Sequence, residues 1–218
     1  LAVNGKRVTS ANATNILGDG KASYEDATRT LTLSGDISVT DNAVNPSGKQ
    51  LTVTGKSTVT GAQRDRYAGF YSGGEPIKVA ADADITLDTF GFGINAMGAD
   101  ISGNMKICNA EYGVNGMGAT VESGGKLIIQ NAENAVSGDG ANVHGTLEID
   151  EAGTAVDGSG VTVHPGGVVT ITGADSGLNG RSTVDDGSLS VSATTCIDNG
   201  EVIFKSGTLK LDSTSGNF

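Results

Sequence analysis

A repeat of nearly constant length runs through most of the chain and constrains its fold more than any other feature. Short apolar triplets mark the repeat, and all but one follow the previous triplet after about 20 to 22 residues, a period typical of solenoid proteins. In such proteins each repeat is one structural unit. The nine triplets are ISV at 37, STV at 57, ITL at 85, MKI at 105, LII at 127, LEI at 147, VTI at 169, LSV at 189 and LKL at 209.

Each repeat contains two more apolar segments besides the triplet. The second segment ends in a residue such as Val114 or Val136, followed by Asn, Asp or Ser and often by Gly. The third is centred on Leu33, Val53, Val79, Ile101, Val121, Val143, Val163, Val184 and Val202. In a parallel β-helix, three short strands bring the chain once around the axis, and each such turn rises by one strand spacing of about 4.8 Å. The sequence therefore predicts an all-β, right-handed parallel β-helix of about nine rungs, since parallel crossovers prefer that hand.

Composition and spacing exclude the main alternatives. The chain has 34 Gly, 3 Pro, no Trp and only 4% aromatic residues, which favours strands joined by tight turns. A leucine-rich repeat needs the pattern L-x-x-L-x-L-x-x-N, and the three equal apolar segments of each repeat do not follow it. A left-handed hexapeptide helix tolerates little change from its fixed coil length, whereas these repeats alternate between a shorter and a longer form.

A polar residue follows the second strand of each repeat. We expect these residues to form an interior-facing ladder, in which each side chain bonds the equivalent side chain of the next rung. Asn, Asp, Ser and the following Gly also tolerate the left-handed backbone of a sharp bend. The predicted ladder consists of Asn45, Ser72, Asn95, Asn115, Ser137, Asp157, Asn179 and Asp198.

The segment 1–30 breaks the repeat and predicts an N-terminal cap. It includes AVNGKRV, whose Asn-Gly pair is typical of a hairpin turn, and a solenoid must cover its exposed strand edges. The predicted organisation is thus a cap at 1–30 and a β-helix at 31–218, which together form one domain. Because LKLDSTSGNF stops inside a rung, we expect the natural protein to continue beyond it.

The segment VNGKRVTSANATNILGDGKASYEDATRTLTL, followed by Gly-rich rungs, resembles the N-terminal parts of secreted or wall-attached proteins of Gram-positive gut bacteria. The rungs resemble the pectate-lyase-like superfamily, in particular its non-catalytic polygalacturonate-binding branch. This resemblance implies an extracellular or cell-wall-attached protein that binds carbohydrate or mediates adhesion. For the lyases of the superfamily it implies calcium held by several acidic residues and an Arg that removes the substrate proton.

The outward positions of the first strand lack that lyase chemistry. No Arg occurs among them, and Asp88 and Asp150 lie three rungs apart, roughly 14 Å. Glu148 and Asp150 have the spacing of a glycosidase pair, but alternating acids on a strand are typical of a solvated face. We therefore predict a non-catalytic protein; a structural stalk and a calcium-dependent polysaccharide lyase are the alternatives. The outward positions are Ser38, Thr58, Thr86, Lys106, Ile128, Glu148, Thr170, Ser190 and Lys210.

The negative net charge limits the classes of molecule that the protein can bind. The formal net charge is −11 and no segment gathers the basic residues that phosphate binding needs, which argues against nucleic acid. No apolar stretch is long enough to be a membrane-spanning helix. The expected partner is a polysaccharide or a host or bacterial surface glycan, and no cofactor is predicted.

The longest repeat contains the insertion GAQRDRYAGFY at 61–71, which predicts a functional loop. Arg64, Arg66 and Tyr67 are the candidate glycan ligands, because Arg pairs with carboxylates and aromatic faces stack on apolar surfaces. Tyr71 occupies a position held elsewhere by Val or Ile, and we expect it to fill the core.

The two histidines share one position of the repeat. His144 and His164 each lie at the same distance after a ladder residue, so we expect them to stack on neighbouring rungs. Glu122 precedes them and Asp185 follows them in the same column. Imidazole and carboxylate are ordinary zinc ligands, which makes these four residues weak metal candidates beside the simpler interpretation as a surface ladder without metal.

Overall fold

A computed structural model of the chain describes residues 1–216, which form strands and turns and contain no helix. The strands are β1 (Ala2–Val3), β2 (Lys6–Arg7), β3 (Ala22–Glu25), β4 (Thr30–Val39), β5 (Val44–Asn45), β6 (Leu51–Gly61), β7 (Ala68–Ser72), β8 (Ile77–Val79), β9 (Asp84–Asp88), β10 (Phe92–Ala96), β11 (Ala99–Ile101), β12 (Asn104–Cys108), β13 (Tyr112–Gly116), β14 (Ala119–Val121), β15 (Lys126–Val136), β16 (Ala141–Val143), β17 (Thr146–Val156), β18 (Val161–Val163), β19 (Val168–Leu178), β20 (Arg181–Ile197) and β21 (Glu201–Ser213). The last two positions of the predicted β-helix at 31–218 lie outside the described residues.

From β4 onward the strands stack in parallel, one rung on the next. β9, β10 and β11 lie on the three sides of one rung, and we call these sides the first, second and third sheets. Equivalent residues pair directly between rungs, as Ile107 does with Leu87 and with Ile129. Longer strands such as β17 continue from the first sheet into the second. The predicted parallel solenoid of about nine turns is confirmed, while its right-handed coiling stays a prediction.

The first strands pair differently from the rest. β1 pairs antiparallel with β2 and with β5, so that Val3 lies opposite Val44 at the start of the second sheet. β3 pairs antiparallel with β4, at the start of the third sheet. The segment 1–30 therefore covers the edges of the first rung on the second and third sheets, at β5 and at residues 30–33 of β4.

The core consists of inward-facing aliphatic columns, one rung on the next. Each buried Val, Leu or Ile contributes about 1.5–3 kcal/mol through removal of apolar surface from water. On the third sheet the buried column is Leu31, Val53, Val79, Ile101, Val121, Val143, Val163 and Val184, and on the second it is Val44, Phe70, Ile94, Val114, Val136, Val156 and Leu178.

The register corrects the sequence prediction at the two ends. Ser57 pairs with Gly35, so the first triplet starts two positions earlier than the apolar pattern indicates, and Val53 pairs with Leu31 rather than Leu33. Likewise Phe204, rather than Val202, pairs with Val184. A slip of two positions keeps every side chain on the same face of a strand, so alternation alone does not detect it.

The predicted ladder is wrong in two respects. Tyr71 pairs with Asn95, and Ser72 pairs with Ala96, so Ser72 does not belong to the column. Phe70 fills the core with no exposed surface, while Tyr71 is 38% exposed. Within residues 1–216, no hydrogen bond joins the side chains of two successive ladder positions. Most of the column is partly exposed and faces outward, whereas Ser137 is buried and its hydroxyl donates to the Val114 carbonyl oxygen at 3.3 Å.

A hydrogen-bonded ladder exists at another corner, between the first and second sheets. The Asn109 amide donates to Asp88 Oδ1 at 2.7 Å, and the Asn131 amide donates to Asn109 Oδ1 at 2.7 Å. The corner residue of successive rungs has positive φ: 62° at Thr89, 53° at Asn109, 54° at Asn131 and 56° at Glu151. Asn tolerates this conformation better than most residues, which explains its use there.

Candidate functional site

The insertion forms a loop, residues 62–67, between β6 and β7. Arg64 holds this loop against later rungs, because its Nη2 donates to the carbonyl oxygens of Ala110 at 3.1 Å and Asn131 at 3.4 Å. The loop also crosses Gly91, where a Cβ would lie only 3.0 Å from the Arg66 nitrogen. One terminal nitrogen of Arg64 is thus used by the fold itself.

Arg66 and Tyr67 differ from Arg64 in their contacts. The guanidinium carbon of Arg66 lies 5.4 Å from the Tyr67 ring centroid, a cation–π contact, and Arg66 is exposed. Tyr67 is half-buried against the core. Of the three predicted ligand residues, Arg66 is therefore the one whose charge is open to solvent.

An aromatic pair stands beside this loop on the second sheet. Phe92 of β10 and Tyr112 of β13 stack with centroids 5.0 Å apart and planes inclined by 11°. Phe92 pairs with Ala68, which directly follows Tyr67, and Tyr112 pairs with Asn134. Since neither neighbour carries a ring, the outer ring faces of the pair are not continued by further stacking.

Tyr71 adds a further ring to the same side of the solenoid. It precedes Asn95 and Asn115 in their column, so one aromatic and two amide side chains lie side by side on the sheet surface. Met97 and Met117, which are 45% and 53% exposed, lie one rung apart at the end of the second sheet. We give the name aromatic face to the set Arg66, Tyr67, Tyr71, Phe92 and Tyr112.

Sequence reasoning missed Phe92 and Tyr112, although the signal was present. They lie one repeat apart, and each stands two positions before the apolar residue of its second strand. Placing them on the repeat would have predicted their contact. Tyr71 was misplaced because the insertion obscures the register of its rung by one position.

The acidic residues of the first sheet lie where the sequence predicts, but each contacts a different neighbouring side chain. Asp88 and Asp150 are separated by Cys108 and Gln130 in one column. Asp150 accepts from the Thr172 hydroxyl at 2.8 Å, and Glu148 forms an ion pair with Lys126 at 2.8 Å. These carboxylates are acceptors of neighbouring groups and do not converge on one point.

His144 and His164 stack, as their spacing predicts, with centroids 4.1 Å apart and planes inclined by 4°. Face-to-face rings do not aim their nitrogens at a common point, and Asp185 pairs with Lys205 at 3.0 Å. In the described part of the chain, no three His, Cys, Asp or Glu side chains form a metal-binding group, Glu122 and its three column neighbours included. This geometry favours the interpretation of the four residues as a surface ladder over a zinc site.

The two cysteines are separate free thiols. Cys108 ends β12, and Cys196 is buried in β20. Burial raises the pKa of the Cys108 thiol, with the nearby Lys106 acting in the opposite direction. A raised pKa lowers the thiolate fraction at neutral pH and so disfavours nucleophilic chemistry.

No protein-family model, curated protein or solved structure matches the chain. The fold assignment rests on the strand pairing itself. Among residues 1–216 there is no helix with the length and apolar character needed to span a membrane.

Proposed function

We propose that this protein is a non-catalytic β-helix domain that binds a glycan or mediates adhesion outside the cell, and that the aromatic face is its sugar-binding surface. The observation that carries the proposal is the clustering of Tyr71, Phe92 and Tyr112 on three adjacent rungs of the second sheet, with Tyr67 in the adjoining loop. In a protein with only 4% aromatic residues, so many rings in one place call for a specific partner.

The chemistry of the face suits a sugar polymer. Ring faces and edges stack on the apolar C–H surfaces of sugars, while Asn95 and Asn115 offer amide donors and acceptors for hydroxyl groups. Arg66 adds an exposed positive charge for a uronate carboxylate, which the net charge of −11 would otherwise repel. Arg64 contributes by holding the loop in place, rather than as a ligand.

The resemblance to secreted Gram-positive proteins and to the non-catalytic pectate-lyase-like branch belongs to this proposal, and so does extracellular or wall-attached display. The local partners of Asp88, Glu148 and Asp150 support a non-catalytic role, because each carboxylate bonds a neighbouring rung. A polysaccharide lyase needs acids that share one calcium ion, and these lie in separate local contacts.

A structural stalk is the second candidate, and the uninterrupted stacking of rungs favours it. Nine rungs at about 4.8 Å give a rod of about 43 Å. A stalk requires no partly exposed aromatic cluster, so the aromatic face distinguishes the two functions.

The test begins with a glycan-array screen of the 218-residue chain. The affinity of the parent protein and of each variant for the glycan that binds most tightly is then measured by calorimetric titration. We expect Tyr112→Ala to weaken binding by about tenfold, since one aromatic contact contributes about 0.5–1.5 kcal/mol. Arg66→Ala should weaken binding of acidic glycans and leave neutral ones unchanged.

Thr154→Ala is the matched control, because Thr154 occupies the same outward column as Tyr112 two rungs further on. Circular dichroism of each variant checks that the fold is intact. A parent protein that binds no glycan would favour the stalk. Binding that Tyr112→Ala and Arg66→Ala leave unchanged would place the sugar elsewhere.

A further inference from the structure

A cleft opens between the N-terminal segment and the turn that follows β5. It has a volume of about 190 Å³, smaller than typical pockets for drug-sized ligands. Its apolar wall includes Val8 and the buried Leu51. Its polar wall includes Tyr24, Arg29 and Lys49.

The charge of this cleft opposes that of the protein. The whole chain carries −11, but Arg29 and Lys49 line the cleft and Asp26 is its single acidic residue. Positive potential is thus concentrated where the surface is concave and partly apolar, an arrangement that focuses the field on a small anion.

The two basic side chains are available to a ligand. Arg29 donates through Nε to the Gln50 carbonyl oxygen at 2.7 Å, which fixes the guanidinium and leaves its two terminal nitrogens without a partner among residues 1–216. Lys49 is exposed and makes no hydrogen bond or ion pair within the same residues. Asp26 accepts from the Tyr24 hydroxyl at 3.2 Å, which orients this carboxylate toward the tyrosine.

We propose that this cleft binds a small organic carboxylate of about monosaccharide size, with Arg29 and Lys49 pairing the carboxylate and Val8 and Leu51 contacting its apolar part. A fixed guanidinium with two free terminal nitrogens matches the two oxygens of a carboxylate. The site is separate from the aromatic face, because the cleft lies at the first rung, beside the N-terminal segment. It does not depend on the proposed glycan function.

The test uses the ¹⁵N-labelled 218-residue chain and three probes: glucuronate, glucose as its neutral counterpart, and acetate. Amide chemical shifts of residues 46–51 are followed during titration at low salt. We expect saturable shifts with glucuronate, none with glucose, and weakening on addition of salt because the contact is ionic. Tighter binding of glucuronate than of acetate would support an acidic sugar as the ligand, whereas equal affinity for the two would contradict the contacts with Val8 and Leu51.

Variants locate the binding. Lys49→Gln changes an exposed side chain that makes no hydrogen bond or ion pair within residues 1–216, so the fold of the variant should be intact, and we expect at least about fivefold weaker binding. Arg29→Gln should abolish the shifts, Lys210→Gln at the far end should leave them unchanged, and Tyr112→Ala should have no effect. Equal shifts with glucose and glucuronate, or unchanged affinity in Lys49→Gln, would overturn the proposal.

Discussion

Both the backbone conformation and a close backbone contact require glycine at position 138, and other glycines of the chain allow the two effects to be measured separately. The φ of Gly138 is +80°, and a Cβ there would overlap the carbonyl oxygen of Gly116 in the rung before. Gly116, Gly158 and Gly180 repeat the same arrangement on their own rungs. The Gly that follows Asn, Ser or Asp in the repeat thus marks a corner where backbones of successive rungs touch.

Gly138→Ala should therefore lower the free energy of unfolding by about 2–5 kcal/mol, from left-handed strain of about 1–2 kcal/mol and overpacking of about 1–3 kcal/mol. Gly124→Ala is the matched control, since its φ is +84° and no atom lies within 4 Å of the added Cβ. Urea denaturation should show a loss of about 1–2 kcal/mol for the control. Equal losses would mean that the contact with Gly116 is unimportant.

His164 makes stability depend on pH in a defined direction. Burial, then the charge of the stacked His144, lowers the pKa of His164, while Asp185 opposes the shift. Because the folded pKa lies below the unfolded value of about 6.5, the unfolded chain takes up this proton more readily. The contribution of neutral His164 is present above about pH 6.5 and declines as the pH falls toward the folded pKa.

We expect the urea midpoint of the parent to fall between about pH 7.5 and about pH 5, and the fall to be smaller in His164→Gln. Comparing the two proteins removes the contribution of the other titrating groups, which both share. A variant with the same pH dependence as the parent would show that His164 titrates alike in the folded and unfolded states.

At the scale of elements, the side chain of Arg64 ties the loop 62–67 to two later rungs. Arg64→Ala should cost about 1.5–3 kcal/mol, since hydrogen bonds from a charged donor are lost at Ala110 and Asn131. Arg66→Ala, in the same loop but exposed, should change stability by less than about 0.5 kcal/mol. Thermal and urea unfolding of both variants checks this. Similar values for the two would show that Arg64 does not hold the loop.

The same loop shows why some elements follow from the sequence and others do not. Strands and rungs were predictable because apolar residues recur at a fixed period, and the core column of the third sheet matches the prediction from Val53 to Val184. Gly35 stands where most later rungs have an apolar residue, and the insertion shifts Tyr71 by one position. The apolar pattern alone therefore does not determine the register of these two rungs.

The candidate site was less predictable than the fold, for a physical reason. Arg64 was predicted as a ligand, but whether a guanidinium faces solvent or main-chain carbonyls depends on the path of a loop that has no periodicity. Conversely, the stacking of His144 on His164 followed from the repeat, because both residues lie in regular rungs. Side-chain contacts were predictable to the extent that both partners obey the period.

At the scale of the whole molecule, each rung is stabilised by the rungs on either side. β17 pairs with β15 and β19, whereas β21 pairs only with β20 among the described residues. Leu147 and Ile149 are buried, but Phe204 in β21 is 50% exposed. A solenoid with such nearest-neighbour coupling should open from its less covered rung.

Hydrogen exchange of the 218-residue chain should therefore be at least about 100-fold slower in residues 146–156 than in residues 201–213. The amides of residues 30–33 serve as the control, because β3 covers this part of β4 and should keep it protected. Uniform exchange along the chain would indicate a single cooperative unit in place of rung-by-rung opening.

The alignment of every column has a consequence for how such a chain can change in length during evolution. Val114 pairs with Val136, and each is followed by a polar residue and a Gly. Removing residues 115–136 joins Val114 to Ser137 and leaves the junction chemically almost as it was. Unequal recombination between repeats therefore adds or deletes a whole rung without creating a new kind of contact, whereas losing one residue within a strand would turn the side chains that follow in that strand to the other face. Evolution can thus lengthen or shorten the distance between the N-terminal segment and the later rungs in steps of one rung.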